Sequence, residues 1–101
     1  MTNEVIWSPE SEIDLSIILD YLISDWNLEI ATKFLKEIEY HINTISKNPK
    51  LYPIIYKPLK FRQCVITKHN SLIYFYKEEK LYVVRVFDTR QNPNKLKFNR
   101  K

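Results

Sequence analysis

The sequence predicts an α+β fold in which a helical hairpin packs on one face of an antiparallel sheet. Nine of the first 50 residues are acidic and four are basic, whereas the last 51 residues hold three acidic and twelve basic side chains. Apolar residues recur at helical spacing before residue 48, and short runs rich in Val, Ile, Tyr and Phe follow residue 60. The predicted element order is β-α-α-β-β-β, with the positive charge gathered on the sheet.

A short strand is predicted to lead directly into the first helix. Val5-Ile6-Trp7 is an apolar run, and Ser8-Pro9 then supplies a hydroxyl N-cap followed by proline at the first helical position. The helix is predicted to end near Asp25. Its apolar residues form a stripe at helical spacing that comprises Ile13, Ile17 and Tyr21 together with Leu15, Ile18 and Leu22.

A second amphipathic helix is predicted from Asn27 to Asn48-Pro49. Its apolar stripe recurs at steps of three and four residues and comprises Ala31, Phe34, Leu35, Ile38, Ile42 and Ile45. Two such helices joined by a tight turn form an αα-hairpin.

Residues 50–60 are predicted to be a loop, because Pro49, Pro53 and Pro58 prevent this segment from joining a central strand. Three strands are predicted to follow at 61–67, 72–77 and 81–88, joined by connections short enough for hairpins. Consecutive hairpins need no crossover, so both helices are predicted on one face and the N-terminal strand at a sheet edge. Turns are predicted at Asn48-Pro49, His69-Asn70-Ser71, Glu78-Glu79 and Asn92-Pro93-Asn94.

Length and composition narrow the class of protein. A chain of 101 residues with 45% hydrophobic content predicts one domain, residues 1–101. No apolar run approaches the roughly 20 residues that a membrane span needs, and residues 1–4 lack the features of a secretory signal, so we expect a cytoplasmic protein without a membrane partner.

Cofactor and metal chemistry is not expected. The chain has no glycine, which excludes phosphate-binding loops of the Walker and dinucleotide types. Cys64, the only cysteine, stands in an apolar run and is predicted to be a packed thiol. His41 has no cysteine or histidine at metal-ligand spacing, so we predict neither a cofactor nor a metal site.

Arg85 is the first candidate functional residue. Alternation along the last strand places Leu81, Val83, Arg85 and Phe87 on one face, so this guanidinium stands among apolar neighbours. It is either a structural ion pair, with Asp88, Glu4 or Glu10 as the partner, or part of an anion-binding site.

The other candidates are basic residues of the predicted sheet layer. A target-binding or phosphate-binding surface is predicted from Lys57, Lys60, Arg62, Lys68, Arg85 and Arg90, although any single lysine of this set is more simply a solvated strand edge. His69, in a predicted turn, is either an exposed histidine or a general acid or base. The polar run Asp88 to Pro93 is a capped turn, part of a site, or both.

Five segments of the chain are informative in combination. They are Trp7-Ser8-Pro9-Glu10, Asn48-Pro49-x-x-Tyr52-Pro53, Phe61-Arg62, Ile73-Tyr74-Phe75-Tyr76 and Val84-Arg85-Val86-Phe87-Asp88-x-Arg90-Gln91-Asn92-Pro93. Together with the two helical stripes, they resemble the RelE/ParE superfamily of toxins from bacterial toxin–antitoxin systems, and the resemblance covers nearly the whole chain. It implies two helices on a curved antiparallel sheet and neutralisation by a cognate antitoxin whose acidic segment orders on binding. It also implies contact with operator DNA only through the antitoxin, and either a homodimer or a toxin–antitoxin hetero-oligomer.

The resemblance leaves two activities and one inactive alternative open. RelE-like members are ribosome-dependent endonucleases that cut mRNA, and Arg62, His69 and Arg85 would then be catalytic. ParE-like members poison DNA gyrase through a protein contact. Ser71 stands where many RelE-like chains carry a second arginine, and no Tyr or His follows the last strand, so the ParE-like branch is favoured. The third alternative is a non-toxic relative that only binds its antitoxin.

Overall fold

The structure of the chain is a computed structural model that describes residues 4–88. The two helices are α1 (Pro9–Asp25) and α2 (Leu28–Lys47), and a 3₁₀ turn spans Lys57–Leu59. The strands are β1 (Glu4–Trp7), β2 (Ile54–Tyr56), β3 (Phe61–Val65), β4 (Asn70–Lys77) and β5 (Lys80–Asp88). The predicted α+β architecture is confirmed, with one more strand than the sequence indicated.

All five strands form one sheet in the order β1-β5-β4-β3-β2. The β3–β4 and β4–β5 hairpins are antiparallel, as predicted, and β2 pairs antiparallel with β3. β1 pairs in parallel with β5 and occupies the predicted edge position. The connection from β1 to β5 therefore passes through both helices, because parallel strands cannot be joined by a tight turn.

Both helices begin at the predicted caps. The backbone N–H of Ser11 donates to Ser8 Oγ over 3.0 Å, and the backbone N–H of Ile30 donates to Asn27 Oδ1 over 2.9 Å. These side-chain acceptors satisfy N–H groups that have no partner within the first turn of a helix. Each helix start is therefore stabilised by a side chain that the local sequence supplies.

The buried face of α1 differs from the predicted stripe. Ile18 and Leu22 are buried as predicted, but Ile13 is 59% exposed and Ile17 45% exposed. The buried face of α1 includes two polar residues. Its buried positions follow one another at helical spacing and are Ser11, Asp14, Ile18 and Leu22. Since α1 carries apolar residues on several sides, its sequence pattern does not select one face.

The connector predicted as a loop contains β2 and the 3₁₀ turn, so that prediction was wrong for residues 54–59. Ile54 pairs with Arg62 and Tyr56 with Phe61, with a register irregularity between them. Pro53 and Pro58 flank this short strand without interrupting it. An edge strand needs backbone donors on one side only, which is why a proline-rich segment can supply it.

The main core lies between the helices and one face of the sheet. Its buried members from the helices include Ile18, Phe34, Ile38 and Ile45, and its members from the sheet are Cys64, Ile66, Leu72, Tyr74, Leu81, Val83 and Val86. The thiol of Cys64 is fully buried and burial raises its pKa, which agrees with the predicted packing role. The opposite face of the sheet, called here the outer face, carries a second apolar cluster around Phe61, Ile73 and Phe87.

A β-bulge changes the predicted alternation along β5. Ile73 pairs with Arg85 and the next residue, Tyr74, pairs with Val83, so Val84 is an extra residue between them. Val83 and Val86 consequently lie on the helix side, whereas Val84 and Phe87 belong to the outer-face cluster. The predicted placement of Leu81, Val83, Arg85 and Phe87 on one face was therefore wrong.

The β4–β5 hairpin turn contains two glutamates in an unusual backbone conformation. Glu78 has φ 54° and Glu79 has φ 64°, and they lie between the paired residues Lys77 and Lys80. A two-residue turn with two positive φ values is the type that asparagine and glycine favour. The left-handed conformation costs a residue with a Cβ about 1 kcal/mol or more.

We therefore expect Glu79→Gly to raise the free energy of unfolding by about 1 kcal/mol, because glycine adopts positive φ without steric cost. Denaturant titration measures this change. The matched control is Lys36→Gly, at an exposed position within α2, which should lower stability by about 1 kcal/mol. Loss of stability in both variants would show that the turn is not strained in solution.

Candidate functional site

Arg85 forms a bidentate ion pair with Asp14 of α1. Arg85 Nε lies 2.7 Å from Asp14 Oδ2, and Arg85 Nη2 lies 2.9 Å from Asp14 Oδ1. The side chain of Arg85 is 26% exposed and that of Asp14 is 9% exposed. The hydrogen bonds that Arg85 donates to Asp14 raise the pKa of Arg85 against the opposing effect of burial. Arg85 therefore forms an ion pair, one of its two predicted roles, and its partner Asp14 was not among the predicted partners Asp88, Glu4 and Glu10.

The same carboxylate closes the edge of β5 beyond the end of β1. Asp14 Oδ2 also accepts the backbone N–H of Val86 over 3.0 Å. The hydroxyl of Ser8 donates to the carbonyl oxygen of Val84 over 2.7 Å, and the backbone N–H of Ser8 donates to that of Val83. β1 ends at Trp7. Beyond that residue, Asp14 of α1 and its N-cap residue Ser8 make hydrogen bonds to the edge of β5 that a neighbouring strand would otherwise make.

Arg62 lies on the helix side of the sheet and holds the connector after α2. Its Nη1 donates to the carbonyl oxygen of Tyr52 over 2.6 Å. Its paired neighbour on β4, Tyr74, donates from its hydroxyl to the carbonyl oxygen of Pro49 over 2.8 Å. Arg62 of β3 and Tyr74 of β4 therefore both hold the connector that follows α2. Arg62 and Arg85 lie on opposite sides of the sheet, and the fold does not bring them together.

Tyr74 makes the stability of the fold sensitive to alkaline pH. Burial raises its pKa from 10.0 to about 12. The folded protein therefore holds the hydroxyl proton more tightly than the unfolded chain, and stability should fall between pH 10 and pH 12 as the unfolded chain loses that proton. We expect Tyr74→Phe to be less stable than wild type at pH 8 but to lose less stability between pH 10 and pH 12. Thermal unfolding of wild type and variant at pH 8, pH 10 and pH 12 measures these stabilities. Equal losses of stability in the two proteins between pH 10 and pH 12 would contradict the role of Tyr74.

The remaining predicted site residues occupy two other places. Lys57 and Lys60 are exposed at the 3₁₀ turn between β2 and β3. Lys68 and His69 lie in the turn between β3 and β4, where the backbone N–H of His69 donates to Thr67 Oγ1. Arg90, and the predicted turn at Asn92-Pro93-Asn94, lie outside the described residues. The predicted basic surface is therefore spread over the two ends and both faces of the sheet.

The sequence did not reveal a row of aromatic rings on the outer face. Tyr56, Phe61, Phe75 and Tyr82 stand on four adjacent strands, with centroid distances of 5.7, 5.8 and 4.6 Å between successive rings. The Phe61–Phe75 and Phe75–Tyr82 planes differ by only 19° and 8°. Each of these residues stands on a different strand, so only the strand register could have identified the row.

An apolar groove, called here the helical groove, runs between α1, α2 and β1. One cavity of about 600 Å³ lies between Trp7, Leu15 and the α2 residues Leu35, Ile38 and Ile42. A second, of about 530 Å³, continues past Trp7 and Leu15 along α1. The charged residues that line the two cavities are Glu12, Asp20, Glu39 and Lys47.

Another concavity, called here the cationic pocket, lies beside the aromatic row, at the end of the sheet where the β4–β5 hairpin turns. It has a volume of about 530 Å³. Its lining residues are mainly apolar or aromatic and include two lysines: Pro58, Leu59, Lys60, Phe61, Phe75, Tyr76 and Lys77. Lys60 is therefore one predicted site residue that the fold places in a defined cavity.

Metal and membrane sites were also sought within residues 4–88. No group of three or more His, Cys, Asp or Glu side chains in that range is arranged to hold a metal ion. Neither described helix is both long and apolar enough to cross a membrane.

Comparison with protein families decides the classification. Residues 5–93 match the model of the ParE toxin of type II toxin–antitoxin systems, parDE. The chain belongs to the ParE toxin family. No curated protein sequence matches it.

Solved structures support the fold of this ParE family member. A chain from the chromosomal ParDE toxin–antitoxin system of P. aeruginosa is 17% identical, with a TM-score of 0.71 over 86% of this chain and 96% of that one. The YoeB/ParE toxin from Agrobacterium tumefaciens is 12% identical, with a TM-score of 0.64 over 84% and 96%. The YoeB dimer from Staphylococcus aureus is 16% identical, with a TM-score of 0.62 over 86% and 97%. At these identities the likeness establishes the shared fold alone.

Within this ParE family member, the two described arginines of the predicted site, Arg62 and Arg85, have structural partners. Arg62 is bonded to the connector and Arg85 to Asp14. Ser71 is buried and accepts a hydrogen bond from Gln63 Nε2 over 3.0 Å. The helical groove and the cationic pocket are two apolar concavities that could receive a partner protein.

Proposed function

We propose that this ParE-family toxin is a cytoplasmic protein that inhibits DNA gyrase through a protein contact, in a plasmid-stabilisation type of toxin–antitoxin system. The match to the ParE family over residues 5–93 carries this proposal. The geometry of the arginines supports it, because a ribonuclease needs cations free to stabilise the phosphate and a placed general base. Arg85 instead has a carboxylate bound to two of its nitrogens.

We further propose that the cognate antitoxin docks in the helical groove. The groove offers a long apolar surface beside β1, which is an edge strand among the described residues, and this combination suits an amphipathic segment. One of the similar solved structures is a YoeB–YefM complex from Staphylococcus aureus, which gives a fold-level precedent for such a pair. The antitoxin is expected from a short reading frame beside this one, and operator DNA is then contacted through the antitoxin.

The target is tested by induced expression in bacteria that lack the antitoxin, with thymidine and amino-acid incorporation followed in parallel. We expect DNA synthesis to stop first while translation continues. Prompt loss of protein synthesis would contradict gyrase as the target and would support ribosome-dependent mRNA cleavage. No growth effect at all would indicate a non-toxic antitoxin-binding relative.

The salt dependence of antitoxin binding separates two modes of neutralisation. If an acidic antitoxin segment covers the basic sheet layer, we expect affinity to fall as salt rises, because long-range attraction is screened. Isothermal titration calorimetry at two salt concentrations measures the affinity of the toxin for the antitoxin. Affinity that does not change with salt would show that the helical groove dominates the complex.

A further inference from the structure

The cationic pocket is formed by a rigid part of the chain. Lys57–Leu59 form a 3₁₀ turn with Pro58 inside it, and the backbone N–H of Lys60 donates to the carbonyl oxygen of Lys57 over 3.1 Å. Lys60 has φ 56°, a left-handed conformation that a residue with a Cβ adopts only where its surroundings enforce it. A preformed pocket loses little conformational entropy when a ligand binds.

The pocket combines an exposed apolar surface with positive charge. Leu59 is 58% exposed and Tyr76 is partly exposed beside it. Lys60 and Lys77 line the pocket, and none of its lining residues is acidic. The nearest carboxylates in sequence, Glu78 and Glu79, belong to the adjoining turn and are not among the lining residues. The charge complement of such a pocket is an acidic segment with an apolar anchor residue.

The orientation of the aromatic rings favours a protein over a nucleic acid. Phe75 is stacked between Phe61 and Tyr82, so both faces of its ring are covered by neighbouring rings. Single-stranded nucleic acids bind mainly by stacking bases on free ring faces. Ring edges are the electropositive part of an aromatic side chain and suit apolar groups and carboxylates.

We propose that the cationic pocket receives a bulky apolar side chain from an acidic segment of the protein that this toxin inhibits. This inference rests on the proposed function, since it requires a protein target. It adds the contact surface on the toxin, with Leu59, Lys60 and Lys77 as the residues that determine binding.

The test compares two pocket variants with one control. Leu59→Ser removes the apolar contact, and the double variant Lys60→Gln/Lys77→Gln removes the charge. Lys36→Gln, an exposed lysine of α2, is the control. All the changed side chains are exposed, so we expect wild-type melting temperatures. Because the antitoxin is proposed to dock in the helical groove, we also expect unchanged antitoxin binding, and weaker antitoxin binding by the pocket variants would contradict a pocket reserved for the target.

Growth inhibition on induced expression is the first readout, and binding of purified DNA gyrase holoenzyme is the second. We expect both pocket variants to inhibit growth weakly and to bind gyrase at least tenfold more weakly than wild type, with the control unchanged. If both pocket variants inhibit growth as wild type does, the pocket is not a target contact.

The two proposals can fail separately. If wild type binds gyrase and the pocket variants bind it equally well, the pocket inference is wrong and the proposed function stands. If wild type stops translation first, the gyrase proposal fails. Pocket variants that then lose mRNA cleavage would overturn the pocket inference as well, because its occupant would be RNA.

Discussion

Arg85→Ala is expected to lower the free energy of unfolding by about 3 kcal/mol, because it leaves the buried carboxylate of Asp14 without its cation. Asp14 is only 9% exposed and also holds the backbone N–H of Val86, so it cannot turn into water without opening the edge of β5. Urea titration of the purified variant measures this loss. A change within 0.5 kcal/mol, roughly the range of ordinary surface substitutions, would show that the pair contributes little to folding.

The double variant Arg85→Ala/Asp14→Asn separates structural from functional loss. An amide at position 14 carries no charge, and its oxygen can still accept the N–H of Val86, so part of the lost stability should return. Growth inhibition by this variant then tests the prediction that Arg85 contacts the target. Recovered stability without recovered toxicity would support that contact. Recovery of both would show that the arginine acts through folding alone.

Ile18→Ala is expected to cost about 3 kcal/mol, whereas Ile17→Ala should change stability by less than about 1 kcal/mol. The two residues are adjacent in α1 and chemically identical, but Ile18 is 1% exposed and Ile17 is 45% exposed. The first substitution leaves a cavity between α1 and the sheet. The second removes methyl groups that contact mainly water. Chemical denaturation of both variants gives the comparison.

Equal losses from the two substitutions would contradict the position of α1 on the sheet. A large loss from Ile17→Ala with a small loss from Ile18→Ala would mean that the helix is rotated by about one residue, roughly 100°. The pair therefore tests which face of α1 is buried, the feature of this helix that its sequence pattern predicted only in part.

The sequence predicted correctly those features that a capping residue or a single apolar stripe determines. Ser8 followed by Pro9 allows a helix to start, and Asn27 caps the next one, so both helix starts were predicted correctly. The stripe on α2 occupies a single side of the helix, and its predicted members Ala31, Phe34, Ile38 and Ile45 are all buried. Hydrophobic burial then selects the α2 face without further information.

The candidate site was less predictable because it depends on contacts between distant residues. Asp14 and Arg85 are 71 positions apart, and three other carboxylates were equally reasonable partners by sequence. The bulge at Val84 shifts every later side chain of β5 to the other face, and a regular alternation pattern gives no indication of it. Lys60 and Lys77 meet at one pocket only because β3 and β4 are paired in register.

The sequence by itself determined the class of fold, the helix starts and, through the combined motifs, the toxin superfamily, because each depends on short-range periodicity, capping chemistry or ordered local motifs. Only the tertiary structure decided which carboxylate pairs with Arg85, which face of α1 is covered, and where apolar concavities adjoin positive charge. Those features depend on strand register and helix rotation, which are set by packing summed over the whole core, and no segment of the chain encodes them alone.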